Sequence, residues 1–188
     1  MQKDVIMDNE TGFNMIIFKQ AKMEEYEKVI QFYCELIDSM QGIEFKPVWK
    51  MGVYPTEQLL RDSIEEGALF IAYMENNIAG AMILNHNCAD EYKNIKWKIG
   101  AKNEEIMVIH LLAVSLSYQR KGIAKQMISN AIEICKRNSI KAIRLDILST
   151  NLPAEKLYSS MGFQYIDSLK LFYEDTGLAD FKLYELVL

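Results

Sequence analysis

The chain has 188 residues, half of them hydrophobic and a quarter charged, which suits one domain with a sizeable core. A net charge of −5 at pH 7 excludes a nonspecific grip on nucleic acid as the main task, because that binding rests on neutralising phosphates. Long-range steering by this acidic balance mildly favours a cationic small substrate. Cys34, Cys88 and Cys135 are odd in number and show no C-x-x-C spacing, so they offer neither a disulfide framework nor a zinc site. No apolar run approaches membrane-spanning length, so the expectation is a cytoplasmic protein without a membrane partner.

Residues 1–14 are polar and read as an N-terminal extension, with Asp8 to Gly12 as a turn. A first strand is expected over residues 15–18. From Met23 the period changes: Tyr26, Val29, Ile30, Tyr33, Cys34 and Ile37 recur at three- and four-residue steps and predict a helix to Met40. An irregular aromatic stretch follows, with Phe45, Trp49 and Tyr54. Pro55 or Thr56 opens a second helix that presents Leu59, Leu60 and Ile64 and stops at Gly67. Two strands, residues 68–74 and 78–84, form a hairpin about Glu75, Asn76 and Asn77. Residues 90–105 read as a polar loop around Trp97.

The apolar run of residues 106–114 is the next strand, and residues 123–137 carry a helical pattern. In residues 142–148, Ile143, Leu145 and Ile147 alternate with Arg144 and Asp146, as a strand requires. A short helix over 153–161 is capped by Asn151 and ended by Gly162. Strands at 163–173 and 182–187 close the chain through a turn at residues 174–177. One strand-helix-strand unit demands a parallel pair, while the hairpins demand antiparallel ones. The expected fold is α/β (α+β), a mixed sheet within a single domain spanning residues 15–188.

The centre of the sequence is Gln119-Arg120-Lys121-Gly122-Ile123-Ala124, between a buried strand and a helix. Glycine at a helix entrance exposes unpaired amides at the positive end of the dipole, a good anion site, and Ala124 keeps the approach open. Taken alone, the turn also reads as an ordinary strand-to-helix connection with a solvent-facing basic pair. The dinucleotide pattern G-x-G-x-x-G and the NTPase loop G-x-x-x-x-G-K-[ST] are both absent.

With Leu112-Ala113-Val114 before it, and Asn151 to Tyr158 and Met161-Gly162-Phe163 after it, this segment resembles the GNAT superfamily of acyl-CoA-dependent N-acetyltransferases. The likeness is strongest over residues 106–163. It implies a mostly antiparallel mixed sheet of about seven strands with helices on both faces, and acetyl-CoA as cosubstrate without a metal. The backbone of Leu112, Ala113 and Val114 would pair with the pantetheine arm. Amides across Gln119, Arg120, Lys121, Gly122, Ile123 and Ala124 would hold the pyrophosphate. Asn151 would hydrogen-bond the cofactor, and the helix carrying Pro153, Ala154, Lys156, Leu157 and Tyr158 would line its adenosine and thiol end. Leu116 departs from the proline frequent in the family, and Ala124 from its commoner glycine.

Acyl transfer to an amine requires a neutral amine and a stabilised thiolate. An alkylamine of pKa about 10.4 costs roughly 4.6 kcal/mol to deprotonate at pH 7. The resemblance makes Tyr158 the acid that protonates the leaving thiolate; packing against Leu157 and Phe163 is the alternative. His110, a titratable group in an apolar strand, is either the base or a histidine satisfied by a backbone carbonyl. Some family members carry a carboxylate where Val108 stands, and Glu104 or Glu105 could serve through water. The acceptor pocket is expected from Phe45, Trp49 and Tyr54, from Trp97, and from the turn at Asp175. The partners implied are a CoA thioester and an amine, with a homodimer left open. A non-catalytic acyl-CoA sensor of the same fold is the competing class.

Overall fold

The computed structural model describes residues 5–7, 16–43 and 47–188. In chain order its elements are β1 (Val5–Met7), β2 (Ile16–Gln20), α1 (Tyr26–Ser39), α2 (Glu57–Glu65), β3 (Leu69–Met74), β4 (Asn77–Asn85), β5 (Ile106–Val114), α3 (Ile123–Arg137), β6 (Ala142–Leu148), α4 (Leu152–Ser160), β7 (Gln164–Tyr173) and β8 (Gly177–Val187). They build one eight-stranded sheet in the order β1-β2-β3-β4-β5-β6-β8-β7. Only β5 and β6 run parallel, joined through α3, so the sheet is mixed and mostly antiparallel. The eighth strand is β1, which pairs with β2 inside the segment expected to be a polar extension. The turn expected at Asp8 to Gly12, and Met15, lie outside the described residues.

Helices cover both faces. α3 and α4 lie on one, where Ile123, Met127, Ile128, Ala131 and Cys135 pack with Tyr158 on Phe70, Met82, Leu145 and Tyr184. α1 and α2 lie on the other, where Val29, Tyr33, Leu36, Leu60 and Ile64 cover Leu69, Ile71, Ala81 and Ile83. The buried stripe of α1 centres on Val29, Phe32, Tyr33 and Leu36; Ile30 and Ile37, expected within the stripe, flank it. Thr56 caps α2 through its hydroxyl, which accepts from Leu59 N at 3.0 Å. Asn151 does the same for α4, accepting from Ala154 N at 3.2 Å.

The long connection between β4 and β5 is not a free loop. Arg144 on β6 donates to Glu185 Oε1 on β8 at 2.9 Å and to the Ile99 carbonyl at 3.2 Å, and its guanidinium lies 4.1 Å from the Trp97 ring centroid. Glu185 Oε2 accepts from Lys98 N at 2.8 Å. His86 Nδ1 meets the carbonyls of Asn103 and Ile106 at 3.1 and 2.6 Å. A buried ion pair is thereby the anchor of residues 97–99.

Candidate active site

The site is a gap between two parallel strands. β5 and β6 are paired only where Ile106, Met107 and Val108 face Ala142, Ile143 and Arg144. Beyond that, β6 stays with β8 as far as Leu148, while β5 stays with β4 as far as Val114. The strands diverge, and the edge of β5 from Ile109 onward meets no strand on its β6 side. Extended backbone laid against that edge can pair with it as an added strand.

β5 enters the gap irregularly. Ala113 pairs with Ala81 and His110 with Ile83, so Leu111 and Leu112 together stand opposite Met82. Leu111 has φ 51°, a conformation that a leucine adopts only when its surroundings impose it. The Tyr33 hydroxyl holds the bulge by donating to the Leu111 carbonyl at 2.9 Å. The extra residue changes the facing of the strand. Ile109 packs on the α3 side and Leu111 on the α1 side, while Leu112 and Val114 return to the α3 side.

At the end of β5, Gly122 caps α3 with φ 80°. The first backbone bond of this helix runs from Gln126 N to Gly122 O at 3.0 Å, so the amides of Ile123, Ala124 and Lys125 precede any intrahelical partner. A Cβ added at Gly122 would meet nothing within 4 Å, which leaves its backbone open to an approaching anion. Arg120 and Lys121 are exposed at the rim, the latter with Nζ 5.0 Å from the Tyr118 ring centroid. Gly122→Ala is expected to cost about 1–2 kcal/mol through its left-handed backbone and to weaken anion binding as well. Chemical unfolding reads the first effect, and the acetyl-CoA concentration that half-saturates the shift in melting temperature reads the second. An alanine variant equal to wild type in both would remove Gly122 from the cradle.

Across the gap stands Asp146. Since Val108 lies opposite Arg144, the parallel register continued by two residues sets His110 level with Asp146 on the same face. Asp146 Oδ2 accepts from the Tyr92 hydroxyl at 2.8 Å and the Tyr173 hydroxyl at 3.2 Å. Burial raises the Asp146 pKa, while the Tyr92 hydrogen bond, the His110 charge and the Tyr173 hydrogen bond act to lower it. Both Asp146 and His110 keep some surface towards the gap, yet sit deep enough that desolvation dominates their titration.

His110 Nε2 lies 2.9 Å from the Asn87 carbonyl oxygen, which can only accept. Nε2 therefore carries the proton and Nδ1 keeps its lone pair. Burial lowers the His110 pKa below its ordinary 6.5, against the opposing pull of Asp146 and the Asn87 carbonyl, so the ring is neutral at pH 7. Tyr54 stacks on Tyr173 at 6.5 Å between centroids, and Tyr173 meets Phe181 edge-on at 5.1 Å.

Tyr158 approaches from the α4 side, edge-on to Phe163 at 5.3 Å. Burial first, then the Asp146 charge, push its pKa up, so the hydroxyl stays protonated throughout the neutral range. That hydroxyl has no hydrogen-bond partner among the described residues. No buried side-chain nitrogen or oxygen there lacks one either, so the Tyr158 oxygen reaches open space.

The model of the acetyltransferase (GNAT) family matches residues 34–163. The chain belongs to that family. An N-acetyltransferase of Bacillus subtilis, YsnE, is 35% identical over 69 residues, which are 36% of this chain and 46% of that protein. The chain thus spans about half the length of this relative. Among solved structures, a GNAT-family acetyltransferase of Streptococcus agalactiae superposes with a TM-score of 0.76 at 18% identity, covering 92% of this chain and 95% of that one. Arabidopsis thaliana NAA60, in complex with acetyl-CoA, superposes with a TM-score of 0.65 at 17% identity, covering 92% and 99%. These structural likenesses carry the GNAT fold.

Within this GNAT chain, His110 and Tyr158 both lie within electrostatic reach of Asp146, and β5 runs from His110 past the unpaired edge at Leu112 to Val114 and on to the turn at Gln119 to Ala124. Pro153 and Lys156 are exposed, Ala154 and Leu157 pack on the α3-side core, and the Asn151 side-chain oxygen is engaged as the α4 cap. Trp97 packs on Arg144 and on Tyr92 at 5.1 Å, donating from Nε1 to the Tyr92 carbonyl at 3.0 Å. Trp49 packs edge-on to Tyr33 at 6.2 Å. Glu105 pairs with Lys141 at 2.6 Å where β5 begins, and Glu104 is exposed beside it, both at the opposite end of β5 from the cradle. Phe45 lies outside the described residues. Asp146, Tyr92 and Tyr173 were not singled out as site residues.

Proposed function

We propose that the chain is an acetyl-CoA-dependent N-acetyltransferase that moves the acetyl group to a primary amine by direct attack, with Tyr158 as general acid and His110 as base. The observation that carries this reading is the unpaired Tyr158 hydroxyl, which shares with the neutral His110 ring the electrostatic reach of Asp146, on the strand that diverges from the free edge of β5. Backbone from Leu112 to Val114 offers the thioester arm a strand partner. The Gln119 to Ala124 turn offers its pyrophosphate the first amides of α3. Nδ1 of His110 takes a proton from the acceptor ammonium, and the nitrogen adds to the thioester carbonyl. The C–S bond then breaks as Tyr158 gives its proton to the departing sulfur, and the second proton that the nitrogen sheds on becoming an amide returns the Tyr158 oxygen to its hydroxyl form, while His110 releases its proton to solvent.

The test is thermal denaturation with and without acetyl-CoA, followed by thiol release over an amine panel. At a hundred times its Kd, acetyl-CoA stabilises the chain by about 2.7 kcal/mol if it binds the folded state alone. A melting shift without thiol release from any amine would favour an acyl-CoA sensor over an enzyme. No shift at all would remove the reading.

The pH dependence of turnover follows from His110. Its pKa is depressed, so a base step through Nδ1 is at full strength at pH 7 and is lost as pH falls below the ordinary 6.5. His110→Gln should abolish that acid limb and lower turnover. A limb that survives unchanged in the variant assigns it to another group.

A further inference from the structure

Asp146 is a carboxylate beside the gap with no lysine or arginine paired to it among the described residues. Its two hydroxyl donors, Tyr92 and Tyr173, both bond Oδ2. Oδ1 has no partner among the described residues, and since no buried side-chain oxygen there is left unpaired, Oδ1 opens on the gap. None of the ion pairs among the described residues brings a lysine or arginine to this side chain. Arg144, two residues away on the same face of β6, is fully engaged by Glu185, Ile99 and Trp97. The neighbouring His110 is neutral at pH 7. A buried carboxylate in such surroundings either takes up a proton or is paired, and an ammonium entering the gap would supply that pair.

We infer that Asp146 is the anchor of the acceptor, holding the ammonium of a primary amine through Oδ1 between the rings of Tyr54, Tyr92 and Tyr173. The inference rests on the acetyltransferase reading and deepens it by naming the acceptor class. Tyrosine rings around a carboxylate suit an ammonium on an apolar body, with the cation meeting the charge and the carbon chain meeting the ring faces. A carboxylate beside the amine does not suit this site. Asp146 would repel it, as would Asp175, whose charge also reaches the Tyr54 ring. The accepted class is therefore amines without an adjacent carboxylate, and free amino acids are rejected. When His110 takes the acceptor's proton, Asp146 faces the imidazolium and stabilises it.

Two matched pairs test this on the wild-type chain: phenethylamine against phenylalanine, and butylamine against norvaline. Each amino acid differs from its amine only by the carboxylate. The amines are expected to exceed their carboxylated partners in kcat/KM by about 10²-fold. Asp146→Asn keeps the shape and the two tyrosine hydrogen bonds, and is expected to lower kcat/KM for the amines by about 10²-fold. Its acetyl-CoA melting shift should equal that of wild type. Amino acids used as well as the amines, or an asparagine variant that keeps its kcat/KM, would overturn the assignment while leaving the acetyltransferase reading intact. If thiol release is absent, calorimetric titration of phenethylamine into the CoA-loaded chain decides. Heat lost in Asp146→Asn supports the anchor, and no heat in either protein, or equal heat in both, overturns it. Absence of any acetyl-CoA shift in wild type removes the underlying reading and this one with it.

Discussion

Tyr158→Phe is expected to lower kcat by about 10²–10⁴-fold, the range that a general acid contributes, with acetyl-CoA affinity unchanged. The split follows from geometry. The ring is buried and packs on Phe163, so phenylalanine keeps every apolar contact that positions α4. The hydroxyl bonds no other described residue, so its loss leaves no orphaned partner, and stability should stay within about 0.5 kcal/mol of wild type. What disappears is one proton donor at the mouth of the gap, needed only as sulfur departs. Steady-state kinetics with a thiol probe, alongside acetyl-CoA melting shifts, separates the two effects. Turnover equal to wild type would return Tyr158 to the role of a core residue.

Arg144→Met is expected to cost about 3–5 kcal/mol, a large part of the roughly 5–15 kcal/mol that holds a domain together. Its side chain is 9% exposed and that of Glu185 is fully buried, so removing the guanidinium strands a carboxylate that still accepts from Lys98 N but has no cation. The double variant Arg144→Met with Glu185→Leu should recover most of that cost, because the charge burial vanishes with the charges. Urea unfolding of wild type, both single variants and the double variant closes the cycle. Additive single effects would show that the pair is not coupled. The Met variant should also lower amine turnover beyond its loss of stability. Arg144 holds Trp97 and the Ile99 carbonyl, and Trp97 in turn holds Tyr92, which donates to Asp146.

Much of this was legible in the residues. The helical periods, the caps at Thr56 and Asn151, and the alternation in residues 142–148 all predict elements that the structure contains. The Gln119 to Ala124 turn is legible because its proposed role rests on backbone, and backbone geometry is written in glycine positions. The strand at Val5–Met7 was hidden because three residues flanked by polar ones carry no readable period. The bulge at Leu111 was hidden too, since nothing in an apolar run marks a leucine for positive φ.

Asp146 is the instructive omission. The alternation of β6 placed Arg144 and Asp146 on one face, and helices were expected on both faces of the sheet. A strand covered on both sides is ordinarily apolar throughout, so two charges on it demand buried partners or a ligand. That conflict was visible in the sequence. Its resolution was not, because Tyr92, Tyr173 and Glu185 come from 54, 27 and 41 residues away.

The position of β8 inside the sheet has a consequence for the order of assembly. β7 is made first but has no strand neighbour except β8, which lies between it and β6. β7 can therefore join the sheet only with β8 or after it, once β8 has docked on the bare edge of β6. Tyr173 arrives on β7 and Glu185 on β8. The proposed cofactor side of the cleft is thus encoded in one continuous stretch, while the proposed acceptor side waits for the last strand to be synthesised.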